Sequence, residues 1–523
     1  MLYARYFTKM ITNLFGLIRD GGVGVQVLAS LLFFAVCATV FSAYRSLRGY
    51  DLEWVPLVGR APGWFNAAAV KQDFIANGAK IIESGYRRYK NSMFLVYTAD
   101  MPRIVLSAKY VDEIRTAPET VLSVREGMSE RHLGKYTTLD IILTSHLQND
   151  VCKAQLTSNL KHLIAPIHDE ARFWLARQIP TGRPQVTSRG YEIVLNVVAG
   201  TTSRILVGPP LSRNEEWLNV AVGYTLDVFN VSTALRPYPP FLRPILAPWL
   251  SSTKRLQRHV QTANELLGNM FEKQMREPDP NKKRLDMIQW MADSARGNDR
   301  KPDILVLKLL FLTLAAVHTS TMSTTHTLFD LCTFPEYIVP LRTEARRVIG
   351  KHGWTLAAIN EMKLLDSFMK ESQRINHPGL LSFNRKVLQT LRLSDGTVLP
   401  ANTFITMATN SIARDLENYS DPDKFDGFRF YNKRKLSADD AKRHQFVSTG
   451  PDSLPFGHGK FACPGRFFAA AQIKVVLVNI LLRYDVSFSD GQTSRPPNVF
   501  SGEGIGPDRE QAIVFSERKD SVE

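Results

Sequence analysis

One cysteine lies in a loop rich in glycine and aromatic residues, SLPFGHGKFACPGRFF, over residues 453–468. The glycines at 457, 459 and 465 give backbone freedom that other residues lack and let a flat ligand come close, and Pro464 fixes a turn. A helix predicted from about Arg466 to Arg483 begins just after Cys463, so its N–H groups and positive end can stabilise a thiolate. Cys463 is therefore a candidate metal ligand, although a lone free cysteine is most often a small buried apolar side chain.

A second group of reactive side chains lies on a long apolar segment. Asp299 and Pro302 predict a helix start, and the chain up to Pro335 is apolar on every side in its first half, which is typical of a buried helix. The middle of this segment reads AAVHTS, so His318 and Thr319 bring an imidazole and a hydroxyl into the core. The histidine can relay protons near neutral pH, or it can be a core histidine with a satisfied hydrogen bond.

An acid and a base three residues apart, Glu371 and Arg374, stand in the sequence KESQR. On a helix, positions three apart share a face and can pair. Arg429 follows in the sequence FDGFRF. An isolated pair of this kind is usually exposed and stabilises a fold by only about 0–1 kcal/mol, so its spacing alone assigns no role.

The cysteine loop carries a recognisable pattern. Phe456, Gly459, Cys463 and Gly465 match F-x-x-G-x-x-x-C-x-G, and the loop therefore resembles the haem-binding signature of the cytochrome P450 family. The resemblance implies a fold that is mainly α with a small β region, and a haem b whose iron is bound by Cys463. A thiolate ligand pushes electron density toward dioxygen at the open iron position, which explains cysteine in place of histidine.

Two further motifs resemble the family and follow in its order. Glu371 and Arg374 resemble its E-x-x-R pair, and Arg429 resembles the third member of a triad whose implied role is to hold the cysteine loop. The family's proline in the third motif is replaced by Gly427.

The segment AAVHTS resembles the family's oxygen-activation motif, A/G-G-x-D/E-T-T/S. Thr319 takes the place of the threonine that helps to deliver protons. Ala316 replaces a glycine and His318 replaces the acid, and both departures bear on proton delivery. Thr319 and His318 are accordingly the catalytic candidates.

Haem propionates need cations, and the resemblance suggests two. Lys153, in NDVCKAQLTSNL, and Arg385, in SFNRKV, resemble basic positions of the family. The family often has a further basic residue two positions before the cysteine, but Phe461 stands there and Lys460 lies one position earlier. We expect Lys153 and Arg385 to bind the cofactor.

The amino-terminal part of the chain contains a candidate membrane anchor. Residues 23–44 read VGVQVLASLLFFAVCATVFSAY, without a charge, and about 20 apolar residues span a bilayer as a helix. A buried soluble helix and a cleaved signal peptide are the alternatives, but no convincing cleavage site follows. We expect a segment 1–22, one transmembrane helix over 23–44, a linker over 45–65 and a haem-thiolate catalytic domain over 66–523.

Orientation does not follow from charge, because three arginines or lysines precede this helix and three arginines follow it. The resemblance implies a single-pass protein of the endoplasmic reticulum membrane whose catalytic domain faces the cytosol.

Three other segments give local predictions. Met93–Tyr97 and Arg103–Ser107 alternate in polarity and read as a hairpin. Leu391–Leu393 and Val398–Met407 read as two strands joined by a turn at an Asp-Gly pair. The stretch Ala234–Leu250, dense in proline and aromatic residues, reads as an apolar loop that either contacts a membrane, gates a pocket or simply packs.

Composition excludes several classes of protein. The 523 residues are 44% hydrophobic and show no fixed repeat, which excludes a disordered chain or a solenoid. The four cysteines form no C-x-x-C pair and no zinc spacing, so a disulfide framework and a zinc site are not expected. The net charge of +15 comes from scattered, interleaved lysines and arginines, which favours a solvated surface, an anionic membrane or an acidic partner over nucleic acid.

The resemblance implies a monooxygenase that inserts one oxygen atom from O2 into a small hydrophobic molecule, with electrons from a separate NADPH-cytochrome reductase. In agreement, the chain has no G-x-G-x-x-G motif. AAVHTST together with FGHGKFACPGRFFA is similar to filamentous-fungal members that oxidise terpenoids and related secondary metabolites. The expected substrate pocket draws on Val317, Leu380, Leu381 and the loop near Leu235.

Two alternatives remain. One is a haem-thiolate isomerase or dehydratase that works without a reductase, although such members often lack the threonine that Thr319 provides. The other is a haem-binding or membrane scaffold protein without enzymatic activity.

Overall fold

The computed structural model of the chain describes residues 52–63, 66–180, 182–277 and 284–519, with isolated helical positions between residues 24 and 34. The segment 1–22, most of the anchor predicted over 23–44 and part of the linker over 45–65 therefore lie outside the described residues. Within the described part, one helix, Pro302–Thr333, is long and apolar enough to cross a membrane. Because most of that helix is buried inside the protein, it is the core helix predicted from the sequence.

Helices make up most of the described chain and range from one turn to more than eight turns. In chain order they are α1 (Ala67–Tyr89), α2 (Val111–Ile114), α3 (Val124–Arg131), α4 (Gly134–Thr137), α5 (Ile141–Thr144), α6 (Leu147–Val151), α7 (Leu160–Gln178), α8 (Gly190–Leu206), α9 (Glu215–Leu235), α10 (Arg243–Leu246), α11 (Ser251–Arg276), α12 (Met287–Ser294), α13 (Pro302–Thr333), α14 (Ile338–His352), α15 (Leu356–Glu361), α16 (Lys363–Ile375), α17 (Thr409–Ile412), α18 (Arg429–Lys433), α19 (Asp440–Arg443) and α20 (Arg466–Arg483).

The strands form small sheets at the side of the helical core. They are β1 (Met93–Tyr97), β2 (Pro102–Leu106), β3 (Leu122–Ser123), β4 (Gln185–Arg189), β5 (Ser382–Val387), β6 (Leu391–Arg392), β7 (Val398–Leu399), β8 (Phe404–Met407), β9 (Tyr484–Phe488), β10 (Val499–Ser501), β11 (Gly504–Gly506) and β12 (Ala512–Glu517). The largest sheet has the order β1-β2-β8-β5-β3, and only β2 and β8 run parallel in it. The other sheets are β4-β12-β9, β10-β11 and β6-β7. The predicted mainly α fold with a small β region is confirmed.

Helix α13 forms the centre of the core, where it packs against α8, α9, α11, α16 and α20. It begins with Pro302, whose missing N–H costs nothing in the first turn, and it ends before Pro335. Its 32 residues give a rod of about 48 Å. These five helices are therefore held against one central helix.

The second half of α13 is rich in threonine, although it is buried. The hydroxyl of Thr321 donates to the carbonyl of Val317 at 2.8 Å, and Thr325 donates to Thr321 at 2.8 Å. Thr324 and Thr327 make the same bond to the carbonyl four residues earlier. The helix thus satisfies these buried hydroxyls with its own backbone.

Two of the local predictions were accurate to about one residue. The hairpin of β1 and β2 pairs Met93 with Leu106 and Tyr97 with Pro102, so its second strand begins one residue earlier than predicted. Helix α20 has the predicted bounds, Arg466–Arg483. In each case the pattern that predicted the element was local in the sequence.

The prediction of a single strand over Val398–Met407 was wrong. The segment forms β7, which pairs with β6, and β8, which joins the large sheet, with a turn between them. Pro400 has no N–H to donate to a sheet, and Asn402 adopts a positive φ of 65°, so the chain leaves one sheet and enters another.

The predicted loop Ala234–Leu250 was also wrong in part. Its first residues end α9, and it contains α10 and a 3-10 turn at Ala247–Trp249. Pro244 lies in the first turn of α10, where a proline is tolerated, so a proline-rich sequence here does not exclude helical turns.

Candidate functional site

The loop that carries Cys463 is folded back on itself by backbone hydrogen bonds. The N–H of Cys463 donates to the carbonyl of Phe456 at 2.7 Å, and the N–H of Ala462 donates to that of Gly459 at 3.1 Å. Gly459 has a φ of +74°, and a Cβ there would lie 2.6 Å from the Cβ of Arg115. Both its backbone conformation and its packing therefore require glycine, as the sequence predicted.

Gly465 is different, because its φ of −90° is open to any residue. The expectation of a special backbone conformation at this position was wrong. A Cβ at Gly465 would meet no atom of the described protein within 4 Å, so packing inside the chain does not explain the residue. The space beside it is open to a ligand.

The sulfur of Cys463 lies at the start of α20. Burial raises the pKa of the Cys463 thiol, while the backbone N–H groups of Gly465 and Arg466 and the charge of Arg466 act in the opposite direction. Backbone N–H groups at the start of a helix, together with a nearby cation, stabilise negative charge on a sulfur. The loop therefore holds a cysteine in the surroundings that a metal-bound thiolate needs.

The aromatic member of the loop motif, Phe456, anchors the loop to a neighbour. Its ring meets Phe446 edge to face, with 5.4 Å between ring centroids. Next to it, the hydroxyl of Thr449 lies 3.0 Å from Nδ1 of His458. The sequence did not predict that Phe446 and Arg115 contact the loop, because no motif in the residues next to them indicates such a contact.

Helix α13 has an open side in its middle. Ala315 and Thr319 are exposed, although the residues around them, such as Val317 and Ser320, are buried. The two exposed positions are four apart, so they lie on one face of the helix. The hydroxyl of Thr319 donates to the carbonyl of Ala315 at 2.6 Å, so its oxygen can still accept a hydrogen bond.

His318 lies on another side of α13 and contacts two neighbouring helices. Its Nε2 lies 3.1 Å from the carbonyl of Val222 in α9, and its Nδ1 lies 3.5 Å from the hydroxyl of Tyr191 in α8. Because a carbonyl only accepts, Nε2 must carry the proton, which leaves Nδ1 as the acceptor. Burial lowers the pKa of His318, so the ring is neutral.

The structure brings Glu371, Arg374 and Arg429 together as a buried cluster. Nε and Nη2 of Arg374 each donate to the Glu371 carboxylate at 2.8 Å, and Nε of Arg429 donates to the same carboxylate at 3.1 Å. The remaining donors of the two arginines bond to backbone carbonyls of residues 413–424. The cluster thus fastens α16 to the irregular chain that leads to the cysteine loop.

The glycine at position 427 has a physical explanation. A Cβ on Gly427 would lie 2.7 Å from the ring of Phe368 and 2.8 Å from that of Tyr337. In addition, the N–H of Gly427 donates to the hydroxyl of Tyr337 at 3.2 Å, a bond that proline lacks. The two rings therefore exclude the proline that the resemblance led one to expect.

Arg385 is a buried cation with an unpaired donor. Its side chain is 4% exposed, Nη1 donates to the carbonyl of Asn384 at 2.8 Å, and Nη2 has no partner among the described residues. The guanidinium lies over the rings of Phe383 and Phe461, at 4.3 and 5.5 Å from their centroids. Burial lowers the pKa of Arg385 to about 10.

Lys153, the other cation predicted to bind the cofactor, lies in a short π-helical turn, Cys152–Leu156, and is exposed. It makes no hydrogen bond or ion pair with a residue in the described ranges. Turns of this type occur often at functional sites.

The side chains expected to line the pocket are all in contact with protein. Val317, Leu380, Leu381 and Leu235 are at most 4% exposed. In the middle of α13, the exposed residues are Ala315 and Thr319, which are not among these four.

The residues fit a haem. Across the described part of the chain there is no group of histidine, cysteine and carboxylate side chains that could hold a metal ion alone, so a metal at Cys463 needs its other ligands from a cofactor. An unpaired, buried guanidinium at Arg385 suits an anionic group such as a propionate. A cysteine at the start of a helix can supply the axial thiolate of a haem, and Arg385 can pair with a propionate.

Comparison with known proteins agrees with the geometry. The sequence pattern of the cytochrome P450 family matches residues 86–512. A cytochrome P450 monooxygenase of Emericella nidulans, AN1598, is 39% identical over 467 residues, which are 87% of this chain and 86% of that protein. Cytochrome P450 monooxygenase paxP of Penicillium paxilli is 38% identical over 475 residues, 89% of this chain and 90% of the relative.

A third relative, ent-kaurene oxidase P450-4 of Gibberella fujikuroi, is 33% identical over 469 residues, which are 89% of this chain and 92% of the relative. These relatives come from filamentous fungi, which confirms the resemblance drawn from the motifs. With a family match over most of its length and relatives that are monooxygenases, this chain belongs to the cytochrome P450 family and is an oxidoreductase of the monooxygenase class.

Proposed function

We propose that the protein inserts one oxygen atom from O2 into a C–H bond of a small hydrophobic molecule, a terpenoid or a related secondary metabolite. Electrons come from a separate NADPH-cytochrome reductase. The observation that carries the proposal is the position of Cys463 just before the start of α20, where the backbone N–H groups of Gly465 and Arg466 favour its thiolate form. A haem bound there supplies the redox and oxygen chemistry.

Cys463 is the proposed iron ligand, and the loop around it keeps the sulfur in place. Gly459 lets the loop lie directly on Arg115, and Phe456 packs on Phe446. Gly465 leaves open space beside the sulfur. A loop fixed in this way holds the ligand without a change of conformation when the cofactor binds, which favours a stable site.

Arg385 and Lys153 are the proposed partners of the two haem propionates. Arg385 is held by two aromatic rings and retains a free donor, so a carboxylate can pair with it at little cost in side-chain entropy. Phe461 occupies the position at which the family often has a base. Its ring contributes to holding Arg385 in place of a second charge.

Thr319 is the proposed proton-handling hydroxyl. It lies on the open side of α13, and its hydroxyl can exchange the bond to the Ala315 carbonyl for a bond to a group in the open space. His318 is the proposed second catalytic residue. Its part in a proton relay requires that the Nε2–H bond to the Val222 carbonyl opens, because both ring nitrogens are directed to α9 and α8.

Glu371, Arg374 and Arg429 are proposed to act in structure only. Their charges are used within the cluster, and their remaining donors hold backbone carbonyls. The cluster therefore positions the chain that precedes the cysteine loop.

The substrate class is proposed from the relatives. One of them is named an ent-kaurene oxidase, which indicates a terpenoid substrate for that relative. The fungal origin of the relatives, including paxP, agrees with a role in secondary metabolism. Residues 23–44 are proposed to anchor the protein in the endoplasmic reticulum membrane, with residues 66–523 as the catalytic domain in the cytosol. Residues 45–65 would then connect the two.

The first test is spectroscopic. Full-length protein in microsomes is reduced and exposed to carbon monoxide, and wild type is compared with Cys463→Ala and with the matched control Cys332→Ala, a buried cysteine of α13. We expect the red-shifted thiolate band in wild type and control, and its loss in Cys463→Ala. A normal band in Cys463→Ala refutes the iron ligand.

A second test separates the possible reactions. Extracts of the natural host, prepared with and without the gene, are incubated with the protein, NADPH and O2, with or without reductase. Product that gains oxygen and requires reductase supports the monooxygenase. Product without reductase indicates an isomerase or dehydratase instead.

A further inference from the structure

Four charged side chains form a closed ion-pair group that joins the β1–β2 turn, α3 and the β10–β11 hairpin. Arg103 donates to both oxygens of Asp100 at 2.6 Å, and Arg131 donates to Asp100 at 2.9 Å. Both arginines also pair with Glu503. The two carboxylates are thus fully used by two guanidinium groups, and the four charges cancel.

Arg236, at the end of α9, adds a positive charge beside this group without a carboxylate of its own. It donates to the carbonyls of Asp100 and Arg131 and to the hydroxyl of Ser232. Carbonyls and hydroxyls satisfy its donors, but they do not neutralise its charge. An arginine stays protonated in a protein, so the charge remains.

Arg243, at the start of α10, repeats this pattern. It donates to the carbonyl of Tyr238 at 2.8 Å and lies 3.5 Å from that of Arg236. Burial is the main reason why the pKa values of Arg236 and Arg243 are lowered. Neither arginine forms an ion pair with a described residue.

Lys71, on α1, is the third cation of this set. It is partly buried, and it makes no hydrogen bond or ion pair with a described residue. Burial lowers the pKa of Lys71, and the nearby charges of Arg236 and Arg243 lower it further. Helix α1 reaches this place because the carbonyl of Ile75 accepts the N–H of Gly502, next to Glu503.

The cluster therefore has three positive charges that the described chain does not compensate. Like charges that are partly buried destabilise a protein unless an anion pairs with them. The segments that carry these cations, and the neighbouring strand β10, expose five large apolar side chains: Ile75, Tyr238, Phe241, Val499 and Phe500. An anion with an apolar body fits both properties.

We propose that Lys71, Arg236 and Arg243 form a binding site for the carboxylate or phosphate group of an amphipathic ligand. Two sources share this chemistry: a free small-molecule acid with an apolar body, and an anionic phospholipid of the membrane. The hairpin with Glu503 is bonded to the N–H of Leu380 at 2.7 Å, which links the site to the segment before β5. The site is independent of the proposed oxidation, since it is defined by binding alone.

The test measures binding to full-length holoprotein in phosphatidylcholine nanodiscs. Sodium dodecanoate and neutral dodecanol are titrated by equilibrium dialysis, and uptake by empty discs is subtracted. The variants are Lys71→Met and Arg243→Met, with Lys80→Met as a matched control, an exposed lysine on the same helix. We expect dodecanoate to bind wild type and Lys80→Met equally. Its affinity for Lys71→Met and for Arg243→Met should be lower by about tenfold or more.

Dodecanol serves to separate charge recognition from apolar binding, and its binding should be equal in all four proteins. Thermal unfolding monitors the fold, and Lys71→Met should unfold no earlier than wild type, since Lys71 has no hydrogen bond or ion pair with a described residue to lose. Equal binding of dodecanoate by wild type and both site variants overturns the site. A parallel loss of dodecanol overturns it as well, because the loss would then not depend on charge.

The source of the anion follows from a second series in discs that contain phosphatidylserine. If the lipid displaces dodecanoate from wild type, the site holds a phospholipid headgroup. If dodecanoate stays bound, the site serves a free acid. Both results support an anion site, and the oxidation assays above remain unaffected by either.

Discussion

The buried carboxylate of Glu371 allows a sharp test of how the cysteine loop is held. Glu371→Gln keeps the size of the side chain but removes its charge, and it leaves Arg374 and Arg429 buried without a counterion. Loss of one partner from a buried ion pair costs about 3–5 kcal/mol. Here two arginines depend on one carboxylate, so we expect the upper part of that range.

A loss of this size is a large share of the total stability of a folded domain, which is about 5–15 kcal/mol. The assay is urea unfolding of the purified full-length protein, followed by circular dichroism and by haem absorbance on the same samples. We expect Glu371→Gln to unfold at a much lower urea concentration, and haem to be released at or before that point, because the cluster fastens the chain that leads to Cys463.

A matched control is Glu83→Gln, which breaks the exposed pair of Glu83 and Arg87 on α1. Its effect should stay within about 0.5 kcal/mol, since both side chains lie in water. Arg429→Lys should fall between the two, because lysine keeps the charge but loses the planar donors that reach three carbonyls. A shift of less than about 1 kcal/mol in Glu371→Gln, with normal haem content, refutes the proposed role of the cluster.

Three further expectations follow from single contacts. Gly427→Pro, which restores the family residue, should lower the free energy of unfolding by about 1–3 kcal/mol. The proline ring would meet the rings of Phe368 and Tyr337, and the hydrogen bond from the N–H to the Tyr337 hydroxyl would be lost. A rise in the melting temperature would contradict this explanation. Burial lowers the pKa of Lys370 to about 8 from its usual 10.5, so the unfolded chain binds more protons between these values and stability must rise with pH there. Relative to Lys370→Met, the wild type should gain about 2 kcal/mol between pH 7 and pH 9.5 in chemical unfolding, and a constant difference between the two proteins would rule out a titrating Lys370. His318→Gln keeps an N–H donor for the Val222 carbonyl and should fold normally, but it should lower product formed per NADPH by about tenfold or more if His318 relays protons. Unchanged coupling in this variant, set beside a destabilised His318→Leu, would show that the ring only joins the helices.

The parts of the fold that the sequence predicted best are those with local signals. Helix α13 has a proline at its start, an apolar first half and a proline after its end, and its observed bounds agree with these signals. The pairing of Glu371 with Arg374 follows from their spacing on α16. Such features need no knowledge of what lies elsewhere in the chain.

Features that depend on distant contacts were missed or remain open. The orientation of His318 is set by Val222 and Tyr191, which lie on other helices, and no pattern near residue 318 indicates them. In the same way, the strand predicted over residues 398–407 was divided because β7 and β8 pair with different neighbours. Propensity describes a segment alone, whereas tertiary packing decides its final form.

The hydroxyl-rich half of α13 has a consequence for how this fold tolerates change around its centre. Thr321, Thr324 and Thr325 meet their hydrogen-bonding needs inside the helix, so the helices packed around them need not offer any polar group in return. Their neighbours can therefore vary among aliphatic and aromatic side chains as long as volume is conserved. Thr319 makes the same bond within the helix, but it lies on the open face of α13. Its hydroxyl can therefore exchange that bond for one to a group outside the helix.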